Sequence, residues 1–204
     1  SVVLDYVVDE RVQIHGGMGY SAEKNFEISY IDSRINRIFE GTNEINRMLT
    51  VSMILRKAQK GEIDLLGPAK NIAKELMSIP DFGNSNGTPF SNEIKIIKNF
   101  KKALLMVAGS AVKKFNDKLG EQQEVLMNIA DMINTIYLCE STLLRILKVS
   151  QNNLSDQFDA QKMMLQVLVY DSCDKMNTFG KNTVYSIAEG DEASMMILGL
   201  KRFT

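Results

Sequence analysis

Apolar residues recur at helical spacing along nearly the whole chain, and this periodicity limits the fold more than any other feature of the sequence. The alternation of apolar and polar residues that is typical of strands is absent. The sequence therefore predicts an all-α protein, in which long antiparallel helices joined by short polar turns form an up-and-down bundle in the second half. The clearest single face belongs to a helix expected over 42–57, and its residues are Ile45, Met48, Leu49, Ser52, Met53 and Leu55.

Glycine, proline and asparagine mark where the expected helices end. The first helix is expected to end near Gln13, because three glycines in four positions then break the periodicity and predict a loop. A domain boundary near Gly61 would separate a first domain, residues 1–60, from a second helical bundle domain, residues 61–204. Ser91 and Asp191 are expected to cap helices. The other predicted helices cover about 23–37, 67–76, 91–116, 121–149 and 155–179, with a long loop at 80–89.

The charge pattern and the rare residue types exclude several classes of function. Lysine and arginine number 24 against 25 acidic residues, in short alternations, so no basic surface for nucleic acid is expected. Cys139 and Cys173 lie in apolar-periodic stretches and are interpreted as buried thiols. The single histidine, His15, has no acidic partner nearby in sequence, and it is expected to pack instead of shuttling protons. No metal site is predicted.

The ends and the hydropathy of the chain suggest a piece of a longer, non-spanning protein. No uninterrupted apolar run approaches the roughly 20 residues of a membrane span, and no charged leader precedes the first element. The chain starts without methionine, in a segment that already resembles a helix interior. We therefore expect a fragment of a longer protein that is cytoplasmic, or mitochondrial in a eukaryote.

Two short segments combine glycine with residues that make polar contacts. The first runs from Gln13 to Tyr20, where glycines would let backbone N–H groups approach an anionic ligand closely. The second runs from Ile35 to Arg47 and contains a carboxylate, Glu40, between two apolar residues and a glycine. An apolar setting disfavours the charged form of a carboxylate, which suits a general base. Taken alone, each segment is weak evidence of a site, and an ordinary turn with a solvated glutamate is the favoured interpretation.

Taken together and in this order, the two segments resemble the closing signature of the acyl-CoA dehydrogenases, over residues 1–57. The sequences that carry the resemblance are Gln13-Ile-His-Gly-Gly-Met-Gly-Tyr20 and Asp32-Ser-Arg-Ile-Asn-Arg-Ile-Phe-Glu-Gly-Thr-Asn-Glu-Ile-Asn-Arg47. In that family an acyl-CoA thioester is oxidised to the trans-2-enoyl-CoA. A glutamate removes the α-proton while the β-hydrogen leaves as hydride to N5 of FAD. The resemblance implies that Glu40 is this catalytic base.

The same resemblance implies the ligands and partners of a complete enzyme. FAD would be the cofactor, an acyl-CoA the substrate and electron-transfer flavoprotein the electron acceptor, in a homodimer or homotetramer. Gly41 would lie beside the thioester. The residues implied to contact the flavin of a neighbouring subunit are Gln13, Gly16 and Gly17, and those implied at the diphosphate and adenosine part of FAD are Thr42, Asn43 and Glu44.

The residues from about Gly61 onward are similar in placement and helical character to the extra carboxy-terminal domain of the very-long-chain acyl-CoA dehydrogenases. In those relatives the added bundle supports a homodimer, and the segment after the base helix helps attach the enzyme to a membrane. Here the matching stretch, 63–77, carries Lys70 and Lys74 near an apolar stripe, a pattern that also occurs on bilayer surfaces. Buried packing is the expectation for this helix.

Three functional hypotheses remain from the sequence. The first is part of an FAD-dependent dehydrogenase, whose isolated carboxy-terminal fragment would be inactive without its missing domains. The second is a non-catalytic helical module that serves assembly, and the third is a module that binds a membrane surface. The twelve methionines, among them Met163, Met164, Met195 and Met196, are expected to fill the core instead of lining a binding groove.

Overall fold

The computed structural model describes residues 1–76, 90–151 and 158–204, and within them the protein is all-α. These ranges contain nine α-helices and one 3₁₀ helix, and no strand. The expected fold class is therefore confirmed. The chain divides into two compact units, Ser1–Thr50 and Val51–Thr204. Helix α4 continues through the division point, so the domain boundary expected near Gly61 stays a prediction.

The first unit is built from α1 (Val2–His15), α2 (Gly17–Tyr20), α3 (Phe26–Ile35) and the start of α4 (Asn43–Gln59). Helices α1 and α3 run antiparallel, since Asp5 pairs with Arg37 just beyond the end of α3 while His15 stacks on Phe26 at its start. Burial in this unit is slight, because few of its side chains meet apolar partners within the unit.

The expectation of a loop at the three glycines is wrong, because this segment forms a single helical turn, α2. Helix α1 continues to His15, and Gly16 then reverses the chain with φ 55° and ψ −138°. The backbone N–H of Gly19 donates to the carbonyl of Gly16 at 2.9 Å, and that of Ser21 donates to the carbonyl of Gly17 at 3.1 Å. These hydrogen bonds outweigh the low helix propensity of glycine, which is about 1 kcal/mol per residue against alanine.

The second unit is a bundle whose helices alternate in direction. Its elements are α5 (Leu66–Leu76), α6 (Ser91–Phe115), the 3₁₀ helix (Asn116–Glu121), α7 (Gln123–Gln151), α8 (Phe158–Ile187) and α9 (Gly190–Phe203). Ion pairs tie neighbouring helices together, from Lys101 to Glu140 at 2.5 Å and from Lys102 to Glu75 at 2.6 Å. The carboxamide of Asn177 on α8 donates to the Thr204 hydroxyl after α9 at 2.8 Å.

The core of the bundle is continuous between α6, α7, α8 and α9. Burial of each large apolar side chain contributes about 1.5–3 kcal/mol to the free energy of unfolding. Nearly all buried apolar side chains lie in this unit, so apolar packing stabilises it much more than the first unit. Gly180 on α8 lets Leu200 of α9 approach, since an added Cβ would lie 2.6 Å from a Leu200 methyl carbon. The most deeply buried side chains include Phe100, Leu126, Ile129, Met132, Leu165, Met176 and Leu200.

Three expectations about helix ends in this unit are wrong. Ser91 is the first residue of α6 rather than its cap, and Phe90 occupies the cap position with φ 63°. Glu189, not Asp191, caps α9. Helix α8 continues eight residues beyond Phe179 to Ile187 because its last turns remain buried in the core. The loop expected at 80–89 and the helix start expected at 155 lie outside the described residues.

The methionines only partly fill the core as expected. Met132, Met176 and Met196 are buried, whereas the side chains of Met163, Met164 and Met195 are 59%, 67% and 67% exposed. Met195 and Met196 line an open groove of about 1070 Å³ between α5, α6 and α9. The expectation of core filling is therefore wrong for these three methionines, and also for Met18 and Met53, which are 47% and 50% exposed.

The membrane hypotheses are only partly addressed by the described residues. No helix in 1–76, 90–151 or 158–204 is long and apolar enough to cross a bilayer. The side chains of Lys70 and Lys74, on which the surface-binding hypothesis depends, lie outside the described part of the chain.

Both cysteines are free thiols, and burial governs their chemistry. Cys139 on α7 donates to the Ser172 hydroxyl on α8 at 3.2 Å. Burial is the main cause that raises the pKa of both the Cys139 and the Cys173 thiols. A raised thiol pKa stabilises the fold below the thiol's unfolded pKa of about 8.5, and this contribution is lost as pH rises above it.

We therefore expect both thiols to react with an aromatic disulfide reagent at pH 8 at least about tenfold more slowly in the native chain than in urea. Cys139, which is fully buried, should react more slowly than the half-buried Cys173. Single Cys→Ser variants assign the two rates. Equal rates for native and denatured protein would contradict the expectation.

Candidate active site

The segment between α3 and α4 forms a tight reversal that carries Glu40 at its tip. The backbone N–H of Phe39 donates to the carbonyl of Ile35 at 3.1 Å, which continues the helical turn past the end of α3. The backbone N–H of Asn43 then donates across the reversal to the carbonyl of Arg37 at 3.1 Å. The second bond encloses residues 38–42 in a closed loop, with Glu40 at its centre.

The backbone of this tip is left-handed at two consecutive residues. Glu40 has φ 57° and Gly41 has φ 87°. A glycine adopts this region freely, but a residue with a Cβ pays roughly 1–2 kcal/mol there. The Glu40 side chain is exposed, and the two apolar residues before it, Ile38 and Phe39, are about half exposed. The turn therefore presents a carboxylate next to apolar surface, at a conformational cost.

The first turn of α4 begins directly after the reversal and satisfies its own backbone donors. The Thr42 hydroxyl accepts from the backbone N–H of Ile45 at 3.2 Å, as a helix cap. The pKa of the Glu44 carboxyl is lowered, chiefly by a hydrogen bond from its own backbone N–H and further by the Thr42 hydroxyl, Arg47 and Arg37. Arg47 lies 3.9 Å from this carboxylate. Glu44 is thus held as a charged acceptor at the positive end of the helix.

Helix α1 anchors the reversal from one side. The Asp5 carboxylate pairs with Nε of Arg37, and the facing atoms of the pair are buried. The Ser1 hydroxyl donates to Oδ1 of Asn43 at 2.7 Å. Within the described residues the Asn43 side-chain nitrogen has no acceptor, so it remains available as a donor. Sequence reasoning assigned no role to Asp5 or Arg37, because nothing local indicates that residues 32 positions apart are partners.

Two of the three glycines in the turn at the other end of α1 are required by the backbone, and the third is not. Gly16 has φ 55°, which strains any residue with a Cβ. Gly19 is buried, and a Cβ there would lie 2.3 Å from the backbone oxygen of Val12. A Cβ at Gly17 would meet nothing within 4 Å, so the chain itself gives no steric reason for that glycine. Gly17 therefore leaves room for a close external contact.

An aromatic and cationic cluster holds this end of α1 against α3. The His15 ring stacks on Phe26 with centroids 4.2 Å apart, and the Arg11 guanidinium lies 4.3 Å from the same ring centroid. The stacking supports the expectation that His15 packs. Gln13, two residues before, is exposed at the end of the helix.

The structure keeps the two groups of expected site residues apart. Asp5, which is tied to the Glu40 turn, and Gln13, which leads into the glycine turn, are separated by about 12 Å along α1 at 1.5 Å per residue. The two groups therefore form separate clusters at opposite ends of α1. No group of three His, Cys, Asp or Glu side chains in the described ranges is placed to hold a metal ion.

Many large apolar side chains of the first unit are exposed. They occur on all three longer helices of the unit and on the Glu40 turn. Large exposed apolar patches are typical of surfaces that interact with another chain or domain. The exposed residues are Val2, Val3, Leu4, Tyr6, Val7, Ile14, Met18, Tyr20, Ile28, Tyr30, Ile31, Ile35, Ile38, Phe39, Ile45 and Leu49.

Comparison with protein families returns the same family for both parts of the chain. Two family models, each described as "Acyl-CoA dehydrogenase, C-terminal domain", match residues 1–55 and residues 99–202. The first match contains the glycine turn and the Glu40 turn, and the second runs from within α6 to near the end of α9.

Individual relatives agree with the family models. A probable acyl-CoA dehydrogenase of Bacillus subtilis is 38% identical over all 204 residues, which make up 34% of that protein. The very long-chain specific acyl-CoA dehydrogenase of Bos taurus is 28% identical over 162 residues, 77% of this chain and 21% of that protein. A crystal structure of an acyl-CoA dehydrogenase complexed with FAD from Bacillus anthracis matches 99% of this chain with a TM-score of 0.92 and 40% identity. The chain spans 34% of that structure as well.

Proposed function

This chain belongs to the acyl-CoA dehydrogenase family, and from that premise we propose that it is the carboxy-terminal part of an enzyme that oxidises acyl-CoA to trans-2-enoyl-CoA in fatty-acid β-oxidation. The observation that carries the proposal is the Glu40 turn. It holds an exposed carboxylate, at a cost in conformational energy, on a reversal whose neighbouring apolar residues are also exposed. Strained backbone of this kind concentrates at functional sites.

Glu40 is the base in this proposal. When an acyl chain covers Ile38 and Phe39, water leaves the surroundings of the carboxylate, which then accepts the α-proton of the thioester. Gly41 lies next in the chain and would lie beside the thioester group. The electron pair of the broken Cα–H bond forms the C2–C3 double bond as the β-hydrogen leaves as hydride.

The residues that the family resemblance implies at FAD are chemically suited to it, but they differ in how free their polar groups are to contact it. When bound, FAD supplies the acceptor for that hydride. The unpaired amide donor of Asn43 suits a phosphate oxygen, whereas Thr42 is already engaged by Ile45 and Glu44. We assign the ionised Glu44 to the adenosine part, since an acceptor-only carboxylate suits ribose hydroxyls.

The glycine turn would take part in a second cofactor contact. Gln13, Gly16 and Gly17 are exposed and lie at the far end of α1 from Glu40. The empty space beside Gly17 would let a flavin approach the backbone closely. The family resemblance implies that this flavin belongs to a neighbouring subunit, and thus implies a homodimer or homotetramer.

The remainder of the polypeptide completes the site. The apolar surface of the first unit would be covered by the flavin-binding and amino-terminal domains, and residues 61–204 would form the additional carboxy-terminal bundle. Electron-transfer flavoprotein is the proposed electron acceptor. The 204 residues alone are expected to be inactive, because the base has no bound flavin to act with.

The test is anaerobic flavin reduction in the full-length parent protein with a series of acyl-CoA thioesters of increasing chain length. We expect the flavin absorbance near 450 nm to bleach with at least one thioester, while the 204-residue chain mixed with free FAD gives no enoyl-CoA. If flavin is bound but no thioester bleaches it, the dehydrogenase proposal fails and an assembly role replaces it. Enoyl-CoA formed by the chain alone would contradict the expected inactivity.

A further inference from the structure

The side chain of Asn46, which the family resemblance leaves without a role, is bonded to the Glu40 turn. Its Nδ2 donates to the carbonyl of Gly41 at 2.8 Å. The oxygen of the same amide also packs against Gly41. A Cβ added to Gly41 would lie 3.0 Å from Asn46 Oδ1. Glycine at 41 and asparagine at 46 thus fit each other, and either a side chain at 41 or the loss of the amide donor at 46 would disturb the contact.

Asn46 itself is rigidly placed. Its backbone N–H donates to the carbonyl of Thr42, just before α4, at 2.9 Å, and its carbonyl accepts from the Thr50 hydroxyl within α4 at 2.8 Å. The backbone of α4 therefore holds Asn46 in place, and the Asn46 side-chain amide is hydrogen-bonded to the turn. The carbonyl that it holds belongs to the peptide that follows the second of the two left-handed residues.

We infer that Asn46 is a positioning residue that fixes the Glu40–Gly41 turn and so gives the Glu40 carboxylate one orientation toward substrate. This inference rests on the proposed role of Glu40 as the base. A left-handed glutamate is intrinsically unfavourable, so the turn needs an external contact to hold it. Without the amide, the Gly41 peptide is free to rotate, because glycine has many accessible conformations. A rotated peptide would misplace the carboxylate.

The variant that separates positioning from folding is Asn46→Asp, in the full-length flavoprotein. The carboxylate of aspartate has nearly the same shape but accepts only, so it does not donate to the Gly41 carbonyl. Negative charge in the first turn of a helix is favourable, so stability should be kept. We expect the rate of flavin reduction at saturating acyl-CoA to fall about ten- to a hundredfold, which is the scale of a small misplacement of a catalytic group. The Kd for the thioester should change less than about twofold.

Two further variants complete the experiment. Asn46→Gln restores an amide donor and should recover most of the lost rate. Asn128→Asp is the matched control, since Asn128 on α7 also donates from a helix to a backbone carbonyl, that of Glu124 at 3.0 Å. It should leave the reduction rate unchanged.

The outcomes separate the inference from the function that it rests on. An Asn46→Asp enzyme that reduces flavin as fast as the wild type would overturn the inference while the dehydrogenase function stands. So would a variant that loses melting temperature and substrate affinity together but keeps the saturating rate, since that pattern indicates a structural role. If wild-type flavin is reduced by no acyl-CoA, the proposed function fails first and the inference fails with it.

Discussion

Replacement of Glu40 by glutamine in the full-length parent is expected to slow the reduction of its flavin by acyl-CoA about 10²- to 10⁴-fold. The amide has nearly the same size as the carboxylate but does not accept the α-proton. Because Glu40 is exposed and makes no hydrogen bond or ion pair to another described residue, the substitution should leave the fold and the bound flavin unchanged. Single-turnover absorbance measurements without oxygen give the rate directly.

The control for this substitution is Glu27→Gln, which removes an exposed carboxylate from α3 in the same unit. It should reduce flavin at the wild-type rate. A Glu40→Gln enzyme within about threefold of wild type would exclude Glu40 as the base, even if acyl-CoA oxidation itself is observed. Equal losses in both variants would point to a general effect of charge on substrate binding.

The second large effect is expected from Gly19→Ala. A methyl group there would lie 2.3 Å from the Val12 oxygen and 3.0 Å from the Val12 Cα, and backbone atoms do not move aside as the end of a side chain does. Overpacking of this kind costs about 1–3 kcal/mol or more. Amide hydrogen exchange in α1 and α3 of the full-length protein should become faster by about one to two powers of ten.

Gly17→Ala is the matched control for Gly19→Ala, because both place the same methyl group in the same helical turn. No atom of the chain lies within 4 Å of the new Cβ at Gly17, so exchange in α1 and α3 should stay as in the wild type. Flavin affinity should nevertheless fall if the cofactor approaches this backbone as proposed. Unchanged exchange in Gly19→Ala would contradict the steric account, and unchanged flavin affinity in Gly17→Ala would contradict the proposed contact.

Apolar periodicity was sufficient to predict the all-α fold, because burial of an apolar face determines where long helices form. It was less informative where packing and hydrogen bonds override local preference. The glycine turn is helical despite its composition, and α8 extends to Ile187 because its end is buried. The cap of α6 is Phe90, a residue type with no capping side chain, so no cap rule would have selected it.

The candidate site was predictable to a different degree at each level. The motif indicated Glu40 and the glycines because those residue types are local in sequence. The pair of Asp5 with Arg37 and the bond from Ser1 to Asn43 are tertiary contacts over 32 and 42 positions, which no short pattern encodes. The bond of Asn46 to Gly41 spans only five residues, yet it depends on the left-handed backbone, which is visible only in three dimensions.

The left-handed conformation of Glu40 also bears on which residue types evolution would be expected to retain at this position. Selection for folding alone would favour glycine or asparagine at position 40, because both accept such a backbone more easily than glutamate does. Where activity needs a strained conformation, stability and activity are traded against each other. If Glu40 is the base as proposed, a substitution that stabilises the chain at position 40 is expected to lower the activity of the complete enzyme.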